Sequence, residues 1–297
     1  MPRAVLIVNP FSSRVTRERV ADVEYALGEG VELTTRFTER PGHATELARE
    51  AADTADAVVV FSGDGTYNEA INGAAGRIPF GFIAGGGTSV LPRALGLPRD
   101  HVAAGRQIAS ALAAGRTRAI GLGSVNGRRF CFAAGIGLDA EAVRRIDERG
   151  RTAEGKRASN VAFVATVAKI IIQQRLRFEP ELELEGYGRA AFLLVANGSP
   201  YTYAGPFPFA IAGAARFEGG IDFVAPRAVA PRDVPRLLVR GVIGSLGDDR
   251  VFLGGHDLDR IHVRCDRPLP LQADGEDLGD VTEATFEAER DALDVLV

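Results

Sequence analysis

Short apolar runs that end in glycine- or asparagine-containing turns recur through the first 120 residues, and this alternation constrains the fold most. Residues 4–8, 57–61 and 79–84 have the composition of buried strands, and stretches with helical spacing of apolar residues, such as 14–27, separate them. Strands linked through helices predict a parallel sheet that is covered on both faces. We therefore predict an α/β domain over residues 1–120.

Three of these strands end in polar or glycine-rich turns. The turns read Asn-Pro-Phe-Ser-Ser at residues 9–13, Ser-Gly-Asp-Gly-Thr at 62–66 and Gly-Gly-Gly-Thr-Ser at 85–89. Open parallel sheets bind ligands at the carboxyl ends of their strands. We therefore expect the three turns to open on one crevice.

The second half of the chain has a different pattern. From residue 119 onward, short strand-like runs alternate with glycine-rich turns, and helical spacing is confined to stretches such as 160–176. This pattern predicts a mainly antiparallel β-sandwich domain over residues 121–284. We expect the last residues, 285–297, to pack back onto the first domain.

Composition excludes several classes of protein. The net charge of −4 argues against a nucleic-acid binder that is held by bulk positive charge. Only Lys156 and Lys169 are lysines, so the first half of the chain lacks the lysine that Walker-A proteins and protein kinases place on phosphates. A nucleotide bound there must be held by backbone amides, a metal or arginine.

Cysteine and hydropathy patterns indicate the cellular setting. Two cysteines cannot build a disulfide framework and fit a reducing cytosol, and the histidines show no zinc-ligand spacing. No run of 18 apolar residues is present, so no membrane-spanning segment is predicted. The apolar stretch 160–176 carries Lys169, Arg175 and Arg177 toward or beyond its end, which is compatible with an anionic membrane surface and equally with packing inside the second domain.

The turn around Asp64 is the most informative string for chemistry. Two glycines after a buried strand let backbone amides approach a phosphate, and a following helix N-terminus adds favourable potential for anions. Asp64 beside phosphates would need a divalent cation, and Thr66 supplies a hydroxyl. The alternative is an ordinary turn in which Asp64 caps a helix.

Residues 62–73 read Ser-Gly-Asp-Gly-Thr-Tyr-Asn-Glu-Ala-Ile-Asn-Gly. This string resembles the Gly-Gly-Asp-Gly-Thr-x-Asn-Glu-x-x-Asn-Gly signature of the diacylglycerol kinase catalytic-domain family, which includes bacterial soluble lipid kinases and sphingosine kinases. Residues 9–13, 38–44 and 87–98 are similar to its nucleotide motifs, and residues 135–140 and 271–276 are similar to two segments of its second domain. The resemblance covers nearly the whole chain in order and implies a fold like that of NAD kinases and diacylglycerol kinases.

The resemblance implies an ATP-dependent lipid kinase that uses Mg²⁺. Asp64, Asp139 and Glu218 would take part in metal binding, and Asp274 and Glu276 lie in the segment that holds the family's general base. The resemblance also implies that Asp64, together with Asp274 and Glu276, is a catalytic residue. The ATP site would be lined by residues of the nucleotide motifs, namely Asn9, Pro10, Ser12, Ser13, Thr38, Gly63, Asp64, Gly65, Thr66, Asn68, Glu69, Gly87 and Thr88.

The chain also departs from the family pattern at several positions. Ser62 and Ser13 stand where the family has glycine, and Glu218-Gly219 replaces the usual Asp-Gly of a structural Mg²⁺ segment. The loop over residues 87–93 is one residue shorter than in the family and lacks its Asn or Asp. Two alternatives therefore stay open: an NAD kinase-like enzyme, and a catalytically weak nucleotide- or lipid-binding protein.

The expected partners follow from the lipid kinase hypothesis. We expect a lipid substrate that carries a hydroxyl, such as a diacylglycerol or a sphingoid base, transient contact with a membrane surface, a homodimer, and no nucleic acid. The expected localisation is cytoplasmic and peripheral at the inner face of the membrane.

Overall fold

The computed structural model describes residues 1–87, 89–148, 160–175, 177–199, 202–204, 207–209, 215–233, 236 and 250–297. The chain divides into two compact units. One unit comprises Met1–Gly121 with Asp291–Val297, and the other comprises Leu122–Arg290. Each unit contains its own cluster of buried apolar side chains.

The first unit is built on a parallel sheet. Its strands are β1 (Arg3–Val8), β2 (Glu32–Phe37), β3 (Ala57–Ser62) and β4 (Phe80–Ala84), in the spatial order β4-β3-β1-β2. All neighbouring pairs are parallel, and Val295 of the C-terminal segment pairs in parallel with Phe80 at the β4 side. All six residues of β3 are buried because both faces of this central strand are covered.

Five helices accompany this sheet: α1 (Arg17–Gly28), α2 (His43–Thr54), α3 (Asp64–Ala74), α4 (Val90–Ala94) and α5 (His101–Ala113). Helices α1 and α5 pack on each other, as do α2 and α3. Thr16 caps α1 by accepting a hydrogen bond from the Arg19 amide at 3.3 Å, and Asp100 caps α5 by accepting one from the Ala103 amide at 2.8 Å.

Helices α2 and α3 approach each other closely at Gly73. A Cβ atom at this position would lie 2.3 Å from the carbonyl oxygen of Thr45 and 3.1 Å from the Cβ of Ala48. Real carbon–oxygen contacts are far longer, so a side chain at residue 73 would push the helices apart. Gly73 is the last residue of the twelve-residue signature, and this contact gives it a packing role.

We predict that Gly73→Ala lowers the free energy of unfolding by about 1–3 kcal/mol, because the added methyl overpacks the contact between α2 and α3. Urea denaturation measures the change. The matched control is Gly28→Ala, since a Cβ at Gly28 meets nothing within 4 Å. Equal stability of the two variants would contradict this account of Gly73.

The second unit is rich in strands. Its elements, in chain order, are β5 (Thr117–Val125), β6 (Arg128–Phe130), β7 (Ala133–Ile136), α6 (Leu138–Glu148), α7 (Asn160–Gln173), β8 (Leu182–Leu184), β9 (Gly188–Ala190), β10 (Leu193–Ala196), β11 (Thr202–Ala204), β12 (Phe207–Phe209), β13 (Ile221–Pro226), β14 (Phe252–Leu258), β15 (Arg260–Ala273) and β16 (Glu276–Leu296).

The strand pairs of this unit are antiparallel. Strand β7 lies between β10 and β15, β13 lies between β10 and β14, and β15 also pairs with β16. Their inward side chains form one core that includes Phe130, Phe223 and Phe286. The predicted fold class is confirmed: an α/β N-terminal region with a parallel sheet, followed by a C-terminal region of mainly antiparallel strands.

The spacing of apolar residues predicts one helix that begins at residue 68 and another over residues 231–246. Helix α3 begins at Asp64 rather than at residue 68, because Gly63 is extended and the Gly-Asp-Gly turn itself forms the first helical turn. The helical stretch expected at 231–246 lies almost wholly outside the described residues. Within the described part of the chain, no helix combines the length and apolarity needed to cross a bilayer.

Candidate functional site

The loops that follow β1, β3 and β4 lie together in the first unit. The Arg14 amide donates to the carbonyl of Gly85 at 2.9 Å, and the Gly85 amide donates to the carbonyl of Ser62 at 2.6 Å. A Cβ at Gly87 would lie 3.8 Å from the Oγ of Ser13. Backbone hydrogen bonds thus hold three strand-end loops at one edge of the parallel sheet.

Two glycine turns touch backbone to backbone at this edge. A Cβ at Gly86 would lie 2.8 Å from the Cα of Gly63, and a Cβ at Gly63 would lie 3.4 Å from the Cα of Gly86. The shorter of these distances leaves no room for a side chain at residue 86. This contact is the physical reason for glycine at residue 86.

The Asp64 carboxylate joins the same two loops. Its Oδ2 accepts a hydrogen bond from the Val90 amide and its Oδ1 accepts one from the Leu91 amide, each at 3.0 Å. Asp64 therefore caps a helix, as the alternative interpretation of the turn allowed, but the helix is α4 rather than α3. A carboxylate offers about four lone-pair positions, so these two bonds do not by themselves exclude a cation.

A chain of polar side chains crosses the edge. The Nδ2 of Asn9 donates to the Oγ1 of Thr66 at 3.0 Å, the Ser62 hydroxyl donates to the same oxygen at 2.8 Å, and the hydroxyls of Ser12 and Ser62 lie 2.7 Å apart. Ser62 is thus integrated into this network through its hydroxyl, at a position where the signature has glycine.

Tyr67 contacts the ends of two strands at the sheet edge, and no sequence pattern indicates this role. Its hydroxyl lies 2.7 Å from the carbonyl oxygens of both Ser62 and Ile83, at the ends of β3 and β4. The ring is fully buried, and burial raises the pKa of the phenol well above its usual value. A neutral tyrosine therefore ties the two strand ends together.

The second part of the signature lies between α2 and α3. Glu69 accepts a hydrogen bond from the Ala44 amide at 3.3 Å through Oε2, and its carbonyl accepts one from the Thr45 hydroxyl at 2.8 Å. Asn68 is buried, and its carbonyl accepts from the Asn72 side chain at 2.9 Å. These contacts fix the N-terminus of α2 against α3.

The remaining residues assigned to the ATP site have varied surroundings. Thr38 is buried at the end of β2, and its amide donates to the Val8 carbonyl at 2.9 Å. Pro10 and Ser13 are exposed, and Gly65 lies in the first turn of α3. Thr88 lies outside the described residues.

Asp139 is a buried carboxylate of the second unit, in the first turn of α6. Its Oδ2 accepts from the Gln272 side chain at 2.8 Å, and its Oδ1 has no hydrogen-bond partner among the described residues. A Cβ at Gly135 would lie within 2.5–2.6 Å of both carboxylate oxygens, so glycine is required there. Burial raises the pKa of Asp139 to about 6.

Asp274 and Glu276 occupy different environments in the turn after β15. The Asp274 carboxylate accepts three backbone hydrogen bonds, from Cys131 at 2.6 Å, Phe132 at 2.9 Å and Ala133 at 3.2 Å. Glu276 is exposed, and its Oε2 lies 2.7 Å from the Nη2 of Arg128. Asp274 thus holds backbone, whereas the Glu276 carboxylate reaches solvent.

The described residues contain no group of three His, Cys, Asp or Glu side chains placed to hold a metal. Glu218 lies in an exposed turn, where the Gly219 amide donates to the Arg216 carbonyl at 3.0 Å. Mg²⁺ in phosphate-transfer sites is usually bound through one or two carboxylates, substrate phosphates and water. Asp64, taken by itself in the first unit, is compatible with so sparse a ligand set. The same holds separately for Asp139 in the second unit, through its Oδ1.

Residues 3–125 match the family model of the diacylglycerol kinase catalytic domain. These residues therefore carry the diacylglycerol kinase catalytic domain. A curated diacylglycerol kinase of Bacillus subtilis is 35% identical over 164 residues, which cover 53% of this chain and 53% of the relative. The aligned region thus spans about half the length of that relative. The resemblance noted from the signature is confirmed.

Two solved structures, a diacylglycerol kinase and an NAD kinase, share the fold of this chain. A crystal structure of a diacylglycerol kinase from Bacillus anthracis superposes with a TM-score of 0.71 at 20% identity and covers 99% of this chain and 96% of its own. An NAD kinase from Archaeoglobus fulgidus, solved in complex with ATP, has a TM-score of 0.53 at 13% identity, with coverage of 99% and 93%. At these identities the likeness concerns the fold alone.

The buried carboxylate of Asp139 makes the stability of the protein depend on pH. Because the folded state raises its pKa from 3.8 to about 6, the ionisation of Asp139 costs no stability below pH 4, and its cost grows as the pH rises toward 6. We predict that Asp139→Asn raises the free energy of unfolding by roughly 2–3 kcal/mol at pH 8 and leaves it nearly unchanged at pH 4.

Denaturant titrations at both pH values, in EDTA to exclude metal ions, measure this difference. The exposed carboxylate of Asp294 supplies a control variant, Asp294→Asn, which should show no such pH dependence. A stabilisation of Asp139→Asn that is equal at pH 4 and pH 8 would contradict the assigned cause.

Proposed function

We propose that this protein is an ATP- and Mg²⁺-dependent kinase that transfers the γ-phosphoryl group to a hydroxyl of a lipid. The observation that carries the proposal is the lysine-free sheet edge in which Gly63, Asp64 and Gly86 are locked together at the start of α3. Such an edge offers backbone amides and a helix N-terminus to phosphates. The family whose catalytic-domain model matches residues 3–125 adds the reaction class.

ATP binding at this edge is supported by the residues and by the fold. The helix α3 begins immediately after β3, so its first amides point out of the sheet edge. The NAD kinase that shares this fold is in complex with ATP. In the proposal, Gly63, Gly65 and the loop at Gly86 and Gly87 contact the phosphates, and the Asn9 network keeps the first loop in place.

Asp64, Asp139 and Glu218 are the carboxylates proposed for metal binding. When bound, Mg²⁺ neutralises charge that develops on the transferred phosphoryl group. The two amide bonds to Asp64 fix the orientation of its carboxylate, and the free Oδ1 of Asp139 has a lone pair that no described residue uses. Glu218 is placed in an exposed turn, where it is accessible to solvent cations.

Glu276 is the general base in this proposal, and Asp274 positions it. The three backbone amides that bind Asp274 already occupy acceptor positions of its carboxylate and hold it against the backbone. Glu276 has one cationic partner, Arg128, and is exposed, so it is free to approach an acceptor hydroxyl. In this proposal Asp274 holds the turn in place, and Glu276, two residues further along the chain, accepts the proton.

Incubation with labelled ATP and a total lipid extract tests the reaction, with label in the lipid phase as the expected result. We predict that Glu276→Gln lowers turnover roughly 10²–10⁴-fold, because the general base is lost, and changes ATP affinity no more than a few-fold. The matched control Glu287→Gln, at an exposed position of β16, should retain parental turnover.

Two further variants separate the assigned roles. Asp64→Asn should weaken Mg-ATP binding as well as turnover, because an amide presents only one acceptor oxygen to Val90 and Leu91. Asp274→Asn should lower the melting temperature along with activity, since one of its bonds to backbone amides is lost. Parental turnover of Glu276→Gln would remove it as the base.

The assay also discriminates the alternatives. Label transferred to added NAD rather than to lipid would identify an NAD kinase-like enzyme, a candidate supported by the fold shared with the NAD kinase. Mg-ATP binding without transfer to any acceptor would identify a nucleotide-binding protein and implicate the shortened loop. Which lipid accepts the phosphate is part of the proposal, and diacylglycerol is the first choice because curated relatives carry that name.

Membrane contact is proposed through α7. Ile172 is 70% exposed near the C-terminal end of this helix, and Lys169 is exposed one turn earlier. An exposed apolar side chain next to basic residues is typical of surfaces that contact anionic bilayers. The homodimer and the cytoplasmic localisation stay predictions.

A further inference from the structure

An arginine-rich concavity of about 600 Å³ opens on the second unit. None of its lining residues belongs to the set proposed above for ATP, metal or proton transfer. Five arginines and two carboxylates give it a net charge of +3. The charged lining residues are Arg177, Arg227, Arg232, Arg236, Arg250, Glu179 and Asp233.

Backbone hydrogen bonds hold the segments that carry these arginines. Phe178 and Val229 form a reciprocal antiparallel bridge, with both N–H···O distances at 3.0 Å, and both side chains are buried beneath it. The Arg227 amide donates to the Val251 carbonyl at 2.8 Å. Arg177, Arg227 and Arg250 therefore project from, or lie next to, backbone that is already fixed.

Most of these guanidinium groups are not neutralised. In the described part of the chain, Arg177, Arg227, Arg232 and Arg250 have no hydrogen bond or ion pair through their side chains. The Asp233 carboxylate is already used, since it accepts from the Ala230 amide at 3.1 Å and lies 3.3 Å from Arg236.

Other arginines of the same unit show a different arrangement. Arg144 and Arg267 each bind a carboxylate through two nitrogens, and Arg290 pairs with Asp257 and Asp259. Several arginines of this unit are thus paired, whereas the concavity collects four that no described residue pairs, which gives it a local excess of guanidinium donors. Such an excess attracts anions.

We propose that this concavity binds a phosphate-bearing anion of the glycerophosphate class, either as a soluble ester or as the headgroup of a phospholipid. Planar guanidinium groups match phosphate oxygens with paired hydrogen bonds, which an ammonium cannot do. A volume of about 600 Å³ accommodates a phosphate with an attached glycerol.

A lipid source has a specific structural argument. Ile171 packs against the buried cluster of Phe178 and Val229 under the concavity, and the next residue, Ile172, is 70% exposed. An exposed apolar residue in a helix that packs under a basic concavity allows insertion into the interface while the arginines bind headgroups. The test below therefore includes both sources.

The experiment compares two charge-matched double variants. Arg227→Gln with Arg250→Gln removes two arginines of the concavity, and Arg260→Gln with Arg264→Gln removes two exposed arginines of β15 that do not line it. Glycerol 3-phosphate is titrated by calorimetry, and sedimentation is measured with phosphatidylcholine vesicles that contain phosphatidylglycerol. A saturating non-hydrolysable ATP analogue with Mg²⁺ occupies the proposed nucleotide site throughout.

We expect the concavity variant to lose at least about tenfold in affinity for one of the two probes, and the β15 variant to remain within about twofold of the parent, because paired guanidinium–phosphate hydrogen bonds are charge-assisted and strong. Loss with glycerol 3-phosphate assigns a soluble ester, and loss with vesicles alone assigns a headgroup. Equal behaviour of the two double variants with both probes would overturn the proposal. Binding is read without turnover, so this outcome is independent of the kinase assay.

Because all four substituted arginines are exposed, both variants should fold, and thermal melting verifies this. A further variant, Arg227→Lys with Arg250→Lys, keeps the charge but removes the planar donors. Partial loss of affinity in this variant supports paired guanidinium hydrogen bonds. Undiminished affinity would contradict them and leave no role for arginine beyond its charge.

Discussion

The first unit depends on one arrangement of backbone and carboxylate, in which Asp64 holds the amides of Val90 and Leu91 while Gly63 and Gly86 touch. The loops after β3 and β4 cannot separate without breaking two charge-assisted hydrogen bonds of 3.0 Å. A side chain at residue 86 would also collide with the backbone of Gly63. This constraint fixes the shape of the edge that the phosphates are proposed to occupy.

The two halves of the twelve-residue signature lie in different parts of the first unit. Its first half forms the sheet edge through Ser62, Asp64 and Thr66, whereas its second half fills the interface of α2 and α3. Gly73 closes that interface, and Glu69 holds the start of α2. The second half therefore supports the proposed site by fixing a helix rather than by facing the edge.

The first half of the chain contains no lysine, so other groups must bind phosphates at the sheet edge. Without a lysine ammonium near the phosphates, the charge of a nucleotide has to be met by amides, by a helix N-terminus, by a metal or by arginine. Amides act only at short range and in fixed directions. A rigid edge, braced by the buried Tyr67 across two strand ends, supplies that precision.

The sequence predicts strands and their ends well because these features depend on residues that are neighbours along the chain. The apolar run that becomes β3 and the glycine turn after it identify a strand and its end without tertiary knowledge. The sequence pattern predicts a helix that begins at residue 68, whereas α3 begins at Asp64. The pattern misses this start because glycines are poor helix formers. Only the folded chain shows an extended Gly63 that leads directly into the helix.

Long-range contacts could not be predicted in this way. The amide partners of Asp64 lie 26 and 27 residues away, and the Gln272 that binds Asp139 is 133 residues away. No periodicity encodes such pairs. For the same reason the sequence could not distinguish the environments of Asp274 and Glu276, which are two residues apart but differ in burial and partners. Strand β16 was also missed, because its many acidic residues hide the alternation of a strand.

The central claim is that the braced sheet edge of the first unit is the surface that binds ATP phosphates. Amide chemical shifts of ¹⁵N-labelled protein, followed during titration with Mg²⁺ and a non-hydrolysable ATP analogue, test it most directly. The account predicts the largest shift changes at Gly63, Gly65 and Gly86, with the amides of Val90 and Leu91 retaining hydrogen-bonded shifts. Saturable binding whose shift changes leave these glycines unaffected would contradict it.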